Sequence, residues 1–255
     1  MIAISTLLSS KHKIIYQNLV QNFTKFNIAF KEIPSNDIWL RDFMPLVHEN
    51  TAISYIYDPD YLKKYPHLKT SIKPLENHLN LILDGGNFIR KHDIAFMCEK
   101  IFNQNPTFSK ESIIHTLKQG LNIKHIVFLP RLAYDRYAHS DSMVRFISKD
   151  HVLINDFSLE SVQFFKKLNT ALKDFKVTKM SYSKEFMQKY KWGAYLNFLE
   201  LDKVVFVPTY GIDEDEEVLS FLQNIYRDKQ IIGVYLRPII KKGGALHCIS
   251  ANILQ

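Results

Sequence analysis

Apolar positions change their spacing in short blocks along this chain, and the spacing predicts alternating strands and helices. MIAIST (1–6) and NIAFKEI (27–33) read as strands. Between them, SKHKIIYQNLVQNFTKF (10–26) puts Ile14, Ile15, Leu19, Val20 and Phe23 at helical spacing. AISYIY (52–57) and LILDGGNFIR (81–90) are strand-like, and DIAFMCEKIF (93–102) alternates in part. SKESIIHTLKQGL (109–121) predicts a helix capped by Ser109, and KHIVFLP (124–130) a buried strand. HVLINDF (151–157), LESVQFFKKLNTALKDF (159–175) and KVTKMSY (176–182) predict strand, helix, strand. YLNFLELDKVVFVP (195–208) predicts a hairpin turning at Leu201-Asp202. DEDEEVLSFLQNIY (213–226) is a helix with acids in its first turn, which suits the helix dipole. QIIGVYLRPI (230–239) is a further strand.

The strand–helix–strand unit recurs roughly every fifty residues, which fits a doubly wound sheet or a ring of repeated ββαβ units. No G-x-G-x-x-G is present, which leans against a dinucleotide fold. No Pro/Gly/Ser-rich linker interrupts the chain, so residues 1–255 are expected to form a single domain.

Composition narrows the class. Hydrophobic residues make up 46% and aromatics 13%, which is globular. The formal charge is +7, but the lysines are dispersed, with pairs at 63–64, 166–167 and 241–242 and no basic arm. A nucleic-acid partner is therefore not expected. No apolar run reaches membrane-spanning length, and MIAISTLLSS lacks the basic start of a signal peptide, so no membrane association is expected. Two cysteines in so long a chain point to a reducing compartment, and the expected location is cytoplasmic. No C-x-x-C or H-E-x-x-H occurs, so no metal is expected, and nothing in the sequence calls for an organic cofactor.

Chemistry-bearing residues collect in a few places. Four of the eight glycines form two pairs, Gly85-Gly86 in DGGN and Gly243-Gly244 in GGALHC. Such pairs mark backbone that needs positive φ or approaches something closely. If Asp141 of His139-Ser140-Asp141 leads a strand, the two-residue spacing puts the imidazole and the carboxylate on one face. WLRD sets Asp42 near Trp39, and a guanidinium can bond to one and stack on the other. Cys98, inside an apolar run, reads as core. Local sequence leaves Cys248 open between a packed thiol and a nucleophile.

In order along the chain, DIWLRDFMP, LDGGNF, EKIFNQNPTFSKESI, AHSDSMVRFI, YLNFLELDKVVFVPTYGIDEDEEVL and GGALHCIS resemble motifs of the agmatine deiminase and bacterial peptidylarginine deiminase family, part of the guanidine-modifying pentein superfamily. The resemblance runs from Trp39 to Cys248. It implies an α/β fold, a five-bladed propeller of pseudo-fivefold ββαβ units with a central active site. It implies a deiminase that hydrolyses a guanidino C–N bond through a thiouronium on Cys248. Asp42 and Asp141 then clamp the guanidinium, and His139 serves as acid and then base. Trp39, Asn197 and Asp135 line the substrate. Asp84, Asn87, Gly243 and Gly244 support the site from behind. Agmatine is the default substrate, and free or peptidyl arginine the alternative. A chain that binds guanidines without turnover is the rival of another class. The partner expected is a guanidine or arginine-containing molecule, with a homo-oligomer allowed. The chain departs from the family pattern at Met44, Arg136, Tyr137 and Ala138; Ala138 replaces the glycine before the histidine. His247, next to Cys248, is expected on the opposite strand face and so is not the base.

Overall fold

The computed structural model describes residues 1–132, 135–191 and 193–254. Its strands form five three-stranded sheets of one connectivity. In each, a middle strand pairs antiparallel with one neighbour and parallel with the strand that follows it.

The first repeat runs from β1 (Ile2–Ser5) through α1 (Leu7–Lys11) and α2 (Lys13–Lys25) to β2 (Phe30–Ile33). Helix α2 turns Ile15, Leu19 and Phe23 inward. Ile14 instead is 79% exposed, because it lies one position off the buried stripe. A turn of helix, α3 (Leu40–Phe43), then leads to β3 (Leu46–His48), β4 (Thr51–Ile56) and β5 (His78–Ile82). This second repeat lacks its α-helix. Its crossover holds two 3-10 turns, Asp60–Leu62 and Pro66–Leu68, in a stretch whose prolines at 59, 66 and 74 interrupt helix formation.

LILDGGNFIR is two strands rather than one. β5 ends at Ile82, a 3-10 turn occupies Gly85–Asn87, and β6 (Ile89–Lys91) joins the next sheet. That sheet continues with β7 (Ile94–Cys98), α4 (Lys100–Gln104), α5 (Lys110–Gly120) and β8 (His125–Leu129). The next contains β9 (Val144–Phe146), β10 (His151–Ile154), α6 (Val162–Ala171) and β11 (Lys176–Lys179). After α7 (Lys184–Tyr190) come β12 (Leu199–Glu200), β13 (Val204–Thr209), α8 (Glu214–Ile225) and β14 (Gln230–Tyr235). The β12–β13 hairpin turns after Glu200, where Leu201 N donates to Val204 O. Last come α9 (Arg237–Ile240) and β15 (Ser250–Asn252), which pairs antiparallel with β1.

Serine caps open α5, α6 and α7: Ser109, Ser161 and Ser183 accept from Ser112 N, Phe164 N and Phe186 N. Each cap contributes about 1 kcal/mol. Four acids occupy the first turn of α8, and Asp215 turns back to accept from the amides of Tyr210, Gly211 and Ile212.

The described residues divide into two compact units. The first comprises 1–41 and 180–253. Its core includes Ile4, Leu8, Leu19, Phe23, Phe206, Leu246 and Ile249. The second comprises 42–179, with Leu79, Leu81, Met97, Ile113 and Leu117 at its centre.

Candidate active site

In the 42–179 unit, two of the acids expected at the site, Asp42 and Asp84, flank the buried imidazole of His139. His139 is not the partner of Asp141 along a strand. Residues Ser140–Ser142 form a 3-10 turn, and β9 begins only at Val144, so the shared strand face expected for this pair does not exist. The turn buries both side chains instead. Ala138, just before it, has φ +51, the conformation a glycine adopts without cost.

His139 Nε2 lies 3.2 Å from Asp84 Oδ2, and His139 Nδ1 lies 3.5 Å from Asp42 Oδ1. Asp42 Oδ1 accepts from Gly86 N at 3.2 Å, and its Oδ2 accepts from Tyr61 Oη at 3.1 Å. A Cβ on Gly86 would stand 2.6 Å from His139 Nδ1 and 2.7 Å from Asp42 Oδ1. The second glycine of DGGN therefore permits a close approach.

The electrostatics follow from burial and charge together. Burial pushes the Asp42 carboxyl up, and Asp84 and Asp141 add to this, while His139 resists it; the result is about 6. Burial pulls His139 down, but Asp42 and Asp84 outweigh it and lift the imidazole to about 9. His139 is thus imidazolium at neutral pH and donates from both nitrogens. Burial works to raise Asp84, but His139 and Lys100 prevail and hold it below the usual carboxylate range.

Asn87 and Asp135 do local work. Asn87 Oδ1 accepts from Cys98 N at 2.6 Å, and its Nδ2 donates to Cys98 O at 3.2 Å, tying the glycine turn to β7. The Asp135 carboxylate accepts from Tyr137 N at 2.9 Å and closes its own turn. Arg136 donates from Nη2 to Tyr61 O at 2.6 Å. The Cys98 thiol is buried in the core and pushed up by that burial to about 11, so it is inert.

Lys100 and Tyr61 were not picked out from sequence. Lys100 is buried, and its Nζ lies 2.7 Å from Asp84 Oδ2 and 4.7 Å from the centre of the Tyr61 ring. No local pattern marks either residue: Lys100 opens a helix after an apolar strand, and Tyr61 sits in a proline-rich crossover.

In the unit formed by 1–41 and 180–253, Cys248 sits on a turn rather than a strand. Ile249 N donates to Ala245 O and Ser250 N to His247 O, so the opposite-face argument for His247 does not apply. Asn197 organises this turn. Its side-chain oxygen accepts from Ala245 N at 3.1 Å and Cys248 N at 3.2 Å, and its carbonyl accepts from His247 N. The glycine pair serves two needs. Gly243 has φ +101, and a Cβ on Gly244 would meet the Trp39 ring at 2.5 Å and Cys248 Cβ at 3.0 Å. Arg41 N donates to Cys248 O at 3.1 Å.

Among the described residues, no group of three or more His, Cys, Asp or Glu side chains is arranged to hold a metal ion, and no helix is long and apolar enough to cross a membrane.

Comparison with solved structures defines the class first. The chain superposes on a C. jejuni agmatine deiminase with TM-score 0.72 and 20% identity, covering 100% of this chain and 92% of that one. A crystal structure provisionally named peptidyl-arginine deiminase gives TM-score 0.76 at 20% identity, covering 100% and 95%. The fold is the five-bladed α/β propeller of the pentein class. The model of the Porphyromonas-type peptidyl-arginine deiminase family matches residues 3–253, and the chain belongs to that family. A relative from Marinomonas sp. (strain MWYL1), provisionally named agmatine deiminase, is 22% identical over 99% of this chain and 85% of its own length.

Proposed function

We propose that this chain is a deiminase that hydrolyses a guanidino C–N bond, releases ammonia and leaves a ureido product. The observation that carries the reading is the buried His139 between Asp42 and Asp84, in a chain matched by the deiminase family model over 3–253. A guanidinium carbon is a weak electrophile, so the reaction needs a strong nucleophile, a proton donor for the departing nitrogen and carboxylates to orient a planar cation.

Cys248 is the nucleophile. Its thiolate adds to the guanidinium carbon while Asp42 and Asp141 hold the N–H groups, with Trp39 and Asn197 beside the substrate. The C–N bond breaks as His139 gives its proton to the departing nitrogen, and ammonia leaves. Water then adds to the thiouronium and returns a proton to His139. Collapse breaks the C–S bond and the hydroxyl proton passes to solvent, where it converts the released ammonia to ammonium; the ureido product and the thiolate are left. Guanidinium plus water thus becomes a ureido compound plus ammonium. His139 suits both halves, since it starts as imidazolium and becomes a base once it has donated.

Agmatine is the proposed substrate and N-carbamoylputrescine the product. The family description favours one second reading, arginine within a peptide, with citrulline as the product. Residues 1–255 are proposed to act as one catalytic domain. Cysteine usage supports a cytoplasmic location.

The test is an ammonia-release screen over agmatine, free arginine and peptides with internal or C-terminal arginine. Cys248→Ala is expected to abolish release and Cys98→Ala to retain it. Equal activity in the two variants, or binding of every guanidine without ammonia release by the wild type, refutes the proposal.

A further inference from the structure

Behind His139 stands a buried lysine with an unusual set of neighbours. Lys100 Nζ donates to Asp84 Oδ2 at 2.7 Å and to Tyr137 O at 2.9 Å, and Asp60 Oδ1 lies at 3.4 Å. A lysine this buried needs a compensating charge, and Asp84 supplies it. The same Oδ2 also takes Gln104 Nε2 at 3.0 Å and His139 Nε2 at 3.2 Å. The other oxygen, Asp84 Oδ1, is buried without a hydrogen-bond partner. One carboxylate oxygen thus gathers every donor, and Lys100 is the nearest of them.

We propose that Lys100 is a positioning residue for His139: its ammonium anchors Asp84 Oδ2 against Nε2, and so leaves Nδ1 as the nitrogen that exchanges protons with the substrate. The geometry sets the order. Nε2 is held by a carboxylate that is itself fixed by Lys100 and Gln104. Nδ1 faces Asp42 Oδ1 at a looser 3.5 Å, across from the backbone of Gly86. A proton therefore leaves more readily from Nδ1 than from the anchored Nε2.

Lys100 also moderates the imidazole. The charged and titratable groups around His139 are Asp42 on α3, Tyr61 in the crossover, Asp84 before the glycine turn, Lys100 on α4, and Asp141 on its own turn; Tyr137 precedes that turn. The strands packed on the turn bring Cys98 from β7, its thiol pushed up by burial, and Arg145 from β9. Asp42 and Asp84 raise His139, whereas the positive charge of Lys100 lowers it. Without Lys100 the two carboxylates would hold the proton more tightly, which suits neither its delivery to ammonia nor the base role that follows.

This inference rests on His139 being the proton carrier of the proposed reaction, and its test separates the two. The His139 titration is followed by imidazole NMR in the substrate-free protein, with His139→Gln assigning the signal among ten histidines. Lys100→Met removes the charge at similar length, and the His139 midpoint is expected to rise by about one unit. Asp60→Asn leaves Lys100 less neutralised, so the midpoint is expected to fall by a few tenths. The upper limb of the pH profile of ammonia release should move in the same two directions. A midpoint that stays fixed or falls in Lys100→Met, or rises in Asp60→Asn, overturns the proposal. If Lys100→Met does not fold, the sign of the Asp60→Asn shift decides alone. Absence of turnover on every guanidine would refute the proposed function while leaving the NMR comparison intact.

Discussion

Replacing Gly86 by alanine puts a methyl group into the contact that defines the acid–imidazole pair. The added Cβ stands 2.6 Å from His139 Nδ1 and 2.7 Å from Asp42 Oδ1, where ordinary contact begins at 3.4 Å. Neither atom belongs to a flexible surface side chain, since His139 and Asp42 are both buried. If each retreats along its own line to ordinary contact, the Nδ1–Oδ1 separation opens from 3.5 Å to about 4.5 Å, typical of an overpacked site that relaxes only in part. At an effective dielectric near 20, that opening costs about 1 kcal/mol of attraction. His139 should then titrate about 0.7 unit below its wild-type midpoint. Overpacking adds about 1–3 kcal/mol of lost stability. A displacement of this size in a reacting group lowers turnover by about a hundredfold. The measurements are the His139 NMR titration, urea unfolding and ammonia release from agmatine, each set beside wild type. An unchanged His139 midpoint together with wild-type stability would show that the backbone at Gly86 absorbs the methyl without disturbing the pair, and that the close approach does not set the His139–Asp42 geometry.

His139 is raised from 6.5 to about 9, so its stabilising effect is complete below pH 6.5 and is lost as pH rises through 9; the loss should reach about 3 kcal/mol. Asp42, also raised, works in the same direction lower down, with stability falling as pH rises from 3.8 to about 6. Urea unfolding at pH 6.5 and pH 9.5 should show the larger fall in wild type and little of it in His139→Gln; equal falls in both would assign the effect elsewhere. Ala138→Gly relieves a left-handed conformation at φ +51 and should raise stability by about 0.5 kcal/mol, the strain relieved minus the added freedom of the unfolded chain. A loss above about 1 kcal/mol in thermal unfolding would show that the alanine methyl packs usefully there.

Much of the fold was legible because its strands and helices carry their own period. α2, α5, α6 and α8 lie where the sequence predicts them, and Ser109 caps α5 as expected. The second repeat is where the pattern fails. Its crossover has no helix to announce it, and β3, β6 and β9 are three residues each, too short to show alternation. LILDGGNFIR looked continuous because apolar residues flank the glycines on both sides. The glycine pair itself held the correction, since Gly86 sits where the chain turns from one sheet into the next.

The site was legible as residue types rather than as geometry. Asp42, Asp84 and His139 do converge, yet the two-residue spacing of His139 and Asp141 implies a shared face only on a strand, and the chain makes a 3-10 turn there. Ala138 explains why motif identity is a poor guide there. The family places glycine before the histidine, and alanine reads as a departure, but the backbone keeps the left-handed conformation that glycine would adopt. The substitution therefore changes the cost of the turn rather than its shape. Lys100 shows the opposite case. It lies 16 residues from Asp84 and 39 from His139, outside any period that relates them. Its meaning arises only when α4 packs behind the glycine turn and the ammonium loses its water. A buried cation is tolerated where a carboxylate already needs one, and Asp84 needs one because it holds His139. The sequence signal for such a residue is thus not its own neighbourhood but an acid elsewhere in the chain that would otherwise stand under-compensated.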